Sequence, residues 1–121
     1  MNWWLLAGGI MASVCTAGHA FAGAKMFYQP IKSVVTNELD AGVLTGMWHL
    51  ITINFTLSAL VLFVLGAYGR QDAAAWLIAA QFAGYATIYL VISLCLGGAL
   101  KLFQWIPFAL TAIVTAVGAS H

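Results

Sequence analysis

The sequence predicts an all-α integral membrane fold: one domain, an antiparallel bundle of four transmembrane helices with a short interfacial helix between the first two. Three observations carry this expectation. The 121-residue chain is 64% hydrophobic and 6% charged, whereas a soluble domain carries roughly a quarter charged residues to cover its surface. The apolar residues gather into four runs, at 3–24, 43–67, 75–98 and 103–119. The tryptophans Trp3, Trp4, Trp48, Trp76 and Trp105 lie near the ends of these runs, as in the aromatic belt of a membrane protein.

A helix needs about 20 apolar residues to cross the hydrocarbon core. Backbone polar groups in lipid must be satisfied within the segment, so each run is expected to be α-helical. The first run has a signal-peptide alternative, because Ala20-Phe21-Ala22 looks like a small-residue cleavage site. No basic residue precedes Lys25 and the run continues to Ala24, so a retained helix is expected. The last run is the shortest, and Pro107 falls in its first turn, where a missing N–H costs little.

The connections set the topology. Tyr68-Gly69-Arg70-Gln71-Asp72 reads as a tight polar turn that makes helices two and three antiparallel neighbours, and Leu100-Lys101-Leu102 joins three and four the same way. Both termini then share one membrane face. In the longer first connection, Pro30 can start a short helix with Ile31, Val34, Val35 and Leu39 on one face and Phe27 and Tyr28 as interfacial anchors. An irregular loop is the alternative. Lys25, Lys32 and Lys101 outnumber Arg70 on the opposite face, which favours cytoplasmic first and third loops and external termini.

Several function classes are absent from the sequence. A net charge of +1 offers no basic patch for nucleic acid. Cys15 and Cys95 form no CxxC pair and read as small buried hydrophobes. No Ser/His/Asp set, phosphate-binding glycine loop after a strand or paired-carboxylate site occurs, so a non-enzymatic role is preferred. Ser13, Ser58 and Ser93 read as helix serines bonded to backbone rather than nucleophiles, and Gly8-Gly9 and Gly97-Gly98 as close-packing positions.

Small and polar residues recur at three- and four-residue spacing, the spacing of one helix face. These stripes are Gly8, Ala12, Cys15, His19 and Ala22; Thr45, His49, Thr52, Thr56 and Ala59; Gln81, Tyr85, Tyr89 and Ser93; and Gln104, Phe108, Thr111, Thr115 and Gly118. Membrane helices pack through such residues, so the stripes read first as the bundle seam. His19 and His49 sharpen the reading. Each is expected roughly 8–9 Å inside the same membrane face, at 1.5 Å per residue, and ionisable side chains at membrane depth usually mark a site. Tyr89, Ser93, Thr52 and Cys15 complete the candidate layer, with Gln104, Phe108 and Thr111 in reach.

A hydrogen-bonded network that fixes helix register would explain this layer without a ligand. The alternatives are haem held between His19 and His49, a metal at these histidines with Cys15 as a third ligand, and a pocket that handles protons or a quinone. Glu38 and Asp40 would either lead cations toward His49 or solvate the loop. The leading function is lateral association in the bilayer, as a homo-oligomer or as an accessory subunit of a membrane complex. Small-molecule transport is a third class.

Length and span count resemble the small multidrug resistance transporters. That family couples transport to a glutamate in its first helix, where this chain has only His19 as an ionisable group. The segment Gly18-His19-Ala20-Phe21-Ala22-Gly23 together with Trp48-His49 resembles a group of small uncharacterised bacterial inner-membrane proteins. That likeness implies a four-helix fold in a bacterial inner membrane and no particular activity.

Overall fold

The computed structural model describes residues 1–70 and 73–121. They form four helices, with no strand among the described residues. Helix α1 covers Trp3–Val34, α2 Glu38–Tyr68, α3 Ala73–Cys95 and α4 Trp105–Ser120. The first three are long and apolar enough to cross a membrane, and α4 is a shorter apolar helix of 16 residues.

The helix ends follow local chemistry. The Asn2 side-chain oxygen accepts from the N–H groups of Trp4 and Leu5, capping two orphan donors of α1. Asn37 does the same for α2 through the Leu39 N–H at 2.9 Å. Glu38 and Asp40 therefore stand in the first turn of α2, where the helix dipole favours negative charge. They belong to a helix start, not to a loop. Helix α2 ends on Gly69, whose φ of 65° is left-handed, with the Arg70 N–H bonded to the Leu65 carbonyl. The rest of the expected turn, Gln71 and Asp72, lies outside the described residues.

The first connection differs from the sequence expectation. Helix α1 does not stop near Ala24 but runs on to Val34. It is α-helical over Trp3–Ala17, turns more widely as a π-helix over Gly18–Tyr28, and returns to α over Gln29–Val34. The Gln29 N–H reaches back five residues to the Ala24 carbonyl. Pro30 supplies a physical reason: it lacks the N–H for an α-helical bond and its ring crowds the carbonyl four residues back, a conflict that a wider turn relieves. The expected short helix at Pro30 is present as Gln29–Val34, but it continues α1 instead of standing apart as a separate interfacial helix. Val35 and Asn37 are extended, so Leu39 begins the next helix and cannot share a face with Ile31 and Val34.

Helix α1 packs along α2 and α4, and α4 packs along α3, while α2 and α3 approach less closely. The paired residues run in opposite directions in each case. Along α1 and α4 they are Leu5 with Gly118, Gly8 with Thr115, and Cys15 with Thr111. Along α1 and α2 they are Leu6 with Gly66, Gly9 with Phe63, and His19 with Trp48. A β-carbon at Gly118 would stand 2.8 Å from the Leu5 backbone nitrogen, and one at Gly66 2.9 Å from that of Leu6. Asn2 ties the same end together: its N–H donates to the Gly66 carbonyl and its side-chain amide to the Gly118 carbonyl, both at 2.7 Å.

The core holds Leu5, Leu62 and Phe82 fully buried, with Phe55 and Phe108 in contact with Phe82. The expected α4 stripe faces inward, with Phe108, Thr111, Thr115 and Gly118 all buried. The α2 stripe does so only in part. Ala59 is buried, but His49 and Thr56 are exposed, and the inward face is Phe55, Ser58, Ala59, Leu62, Leu65 and Gly66.

Gly66→Ala and Gly118→Ala should each lower the thermal stability of purified protein, by roughly 1–3 kcal/mol, because a methyl group meets backbone that cannot yield. Gly84→Ala, with nothing within 4 Å of the added carbon, should be neutral or stabilising by up to about 1 kcal/mol. Equal melting temperatures for all three variants would contradict the close approach.

Candidate functional site

His19 stands in the second position of the wide-turned stretch of α1. Its Nε2 lies 3.2 Å from the Trp48 carbonyl oxygen, which can only accept, so Nε2–H is the donor. The imidazole stacks on the Trp48 ring with centroids 3.9 Å apart and planes 19° apart. It also meets Phe55 edge-on at 5.6 Å. Tyr28 also stacks on Trp48, at 5.1 Å, and donates its hydroxyl to Thr45 Oγ1 at 2.9 Å. Thr45 in turn donates to the Ala41 carbonyl. Aromatic contact thus runs from Tyr28 through Trp48 and His19 to Phe55, and on to Phe82, Tyr85, Phe108 and Tyr89.

Beside this chain of rings lies a cavity of about 520 Å³. Its α1 wall includes Cys15, His19, Gly23, Phe27 and Ile31, each four residues from the last. In an unbroken α-helix, four such steps would drift about 160° around the axis, placing the first and last residues on opposite sides. A turn of more than four residues reverses that drift. The wide-turned stretch is thus what keeps all five on one wall. Trp48 forms the α2 side, Tyr89 the α3 side, and Phe103, Gln104, Pro107 and Phe108 the side contributed by α4 and the turn before it.

The chemistry of the lining is largely apolar and aromatic. Among the described residues no Asp, Glu, Lys or Arg contributes to it. The polar side chains are His19, Tyr89, Gln104 and Cys15, together with the indole N–H of Trp48. Cys15 is engaged, its sulfur 3.7 Å from Thr111 Oγ1, which itself donates to the Pro107 carbonyl. Gln104 is not: its Oε1 is buried with no hydrogen-bond partner.

The structure separates the two histidines. His49 is exposed and does not line the cavity, so its ring and that of His19 do not face a common space. Neighbouring positions on a helix point about 100° apart, and Trp48 takes the inward direction. Bis-histidine haem ligation has no geometry here, and among the described residues no three His, Cys, Asp or Glu side chains gather as a metal would need. Thr52 donates to the Trp48 carbonyl at 3.1 Å and stands outside the cavity lining. Ser93 is fully buried but occupied elsewhere. It donates to the Gly98 carbonyl at 2.7 Å and accepts from the Leu102 N–H at 2.9 Å, closing the turn between α3 and α4. Of the six expected layer residues, His19, Tyr89 and Cys15 come together at the cavity.

One polar cluster was not anticipated. Asn54 Oδ1 accepts from Gln81 Nε2 at 2.8 Å and from the Tyr85 hydroxyl at 3.1 Å, and Ser58 Oγ accepts from Gln81 at 3.3 Å. It ties α2 to α3 where their backbones stand apart. The signal was present: Asn54 and Ser58 are four apart, as are Gln81 and Tyr85, so each pair shares a helix face.

No protein-family model matches the chain, and neither does any curated protein or solved structure at a significant level.

The two histidines should behave unequally. His19→Ala loses a stacked ring and a hydrogen bond and should destabilise by roughly 1–3 kcal/mol. His49→Ala should stay within about 0.5 kcal/mol of the parent, as exposed substitutions do. Thermal unfolding of the two purified variants checks this, and equal losses would restore the paired-histidine layer.

Proposed function

We propose that the chain is an integral membrane four-helix bundle whose role is to bind a small lipophilic molecule in the cavity beside His19. The observation that carries this reading is the cavity itself. Ligand sites are typically concave spaces of roughly 300–1,000 Å³ with apolar and aromatic walls and a few placed polar groups. This one has about 520 Å³, a ring-lined wall, and His19, Tyr89 and Gln104 as its unbonded or partly bonded polar groups.

Membrane insertion is supported by the outer face of the helices. Leu50, Leu57, Leu60 and Val64 recur along α2 at helical spacing and are each more than half exposed. Soluble monomers rarely show contiguous apolar surface of that kind, and lipid is the surrounding that leaves it without cost. A cavity opening among such helices receives its ligand from the hydrocarbon phase, where lipophilic molecules concentrate.

Lateral association, as a homo-oligomer or with another membrane protein, is a second reading. It is favoured by the outer face of α3, where Ala80, Ala83, Gly84 and Thr87 are all exposed. Small residues four apart let a second helix backbone approach closely in lipid.

Two experiments test these readings. A variant keeping only Trp48, with the other tryptophans changed to phenylalanine, is reconstituted in vesicles and titrated with 1-bromonaphthalene. Saturable quenching is expected. Gly18→Leu, whose side chain enters open space at the cavity wall, should leave only the linear quenching of partition into lipid. Linear quenching before the substitution would refute the binding site. For association, energy transfer between labelled copies in vesicles should fall several-fold on Gly84→Leu, and transfer that is absent in the parent would sink that reading.

A further inference from the structure

We infer that the molecule held beside His19 is neutral and carries a hydroxyl-bearing aromatic head, a phenol or hydroquinone with an apolar tail, and that the hydroxyl donates to His19 Nδ1. This inference rests on the proposed binding function and narrows its ligand class.

The Trp48 carbonyl accepts from His19 Nε2 and from the Thr52 hydroxyl, and a carbonyl has no proton to give. Nε2 therefore carries the hydrogen, and the neutral ring presents Nδ1 as a bare acceptor. Among the described residues Nδ1 has no hydrogen-bond partner. Turning the ring by 180° about its Cβ–Cγ bond would keep the 3.9 Å stack but lose the Trp48 bond.

Two further groups at the cavity have hydrogen-bonding capacity that the protein does not use. Tyr89 touches Phe108 ring to ring at 5.6 Å, and its hydroxyl has no partner among the described residues. The Gln104 carboxamide is likewise unbonded, with its oxygen buried. Together the three can accept and donate, so the complementary head must do both. A hydroxyl does both. A dione only accepts, and would leave His19 Nδ1 without a donor.

The remaining features of the ligand follow from the walls. With no charged side chain among the described lining residues, an ionic head would be desolvated without a counter-charge. Trp48, Phe103 and Phe108 suit a flat ring, and offset or edge-on ring contacts are favourable beyond the area they bury. Met26 and Ile31 extend the apolar wall for an alkyl or isoprenoid tail.

The test varies the ligand before the protein. Purified protein in detergent, under argon, is titrated calorimetrically with a 1,4-hydroquinone bearing a ten-carbon chain, with its dimethyl ether and with the corresponding dione. The hydroquinone is expected to bind roughly tenfold more tightly than either, the factor for leaving one buried acceptor without its donor. His19→Phe keeps a ring against Trp48 and removes the acceptor, and should bring the three affinities within about twofold. Equal binding of hydroquinone and ether by the parent overturns the hydroxyl inference while leaving the lipophilic site standing. A preference that persists in His19→Phe overturns the role of Nδ1. Saturable binding of none of the three, or binding untouched by Gly18→Leu, overturns the binding function itself. Should His19→Phe fail to fold, the parent's ligand series alone decides the hydroxyl requirement.

Discussion

The seating of the first turns of α1 on Gly66 and Gly118 governs the rest of the molecule. Backbone meets backbone there at a distance that no side chain permits, and Asn2 locks the contact by bonding the carbonyls of both glycines. These carbonyls lie near the ends of α2 and α4, and that of Gly66 also accepts from the Gly69 N–H. One residue thus joins two helix ends while fixing where α1 begins. At the other end of α1 the spacers are large: Trp48, Phe55 and Phe108 instead of glycine. Helices held close at one end and propped by rings at the other must diverge, and the cavity lies on the propped side.

The wide turn in α1 gives that divergence a usable wall. Its hydrogen bonds are made in a different register, so the segment remains satisfied in apolar surroundings. The changed register brings successive fourth residues back to one side and carries the helix past Lys25, where composition alone suggested an end. The site and the length of α1 are therefore consequences of the same local departure from α-helical geometry. Stretches of this kind are rare and are often found at functional sites.

Much of the architecture could be read from the residues. The four helices follow from long apolar runs in a chain with only 6% charged residues, and the inward face of α4 follows from Phe108, Thr111, Thr115 and Gly118 at three- and four-residue spacing. Half of the candidate layer was legible, because His19, Tyr89 and Cys15 lie on faces that pack inward. The α2 stripe misled at His49 and Thr56 because polarity was used to choose its inner face. In apolar surroundings threonine can face outward when its hydroxyl bonds the carbonyl four residues back, as Thr56 does with Thr52. The ring of Phe55, with the inward turn of Trp48, occupied the direction assigned to His49.

By itself the sequence determined the helical class and the approximate places of the helices, since both depend on composition and local periodicity. Which imidazole turns inward, where α1 ends, and how Ser93 and Asn54 are engaged were decided by tertiary structure. A shift of one position rotates a side chain by about 100°, and only the neighbouring helices determine which of those directions is filled by a ring, a backbone or open space.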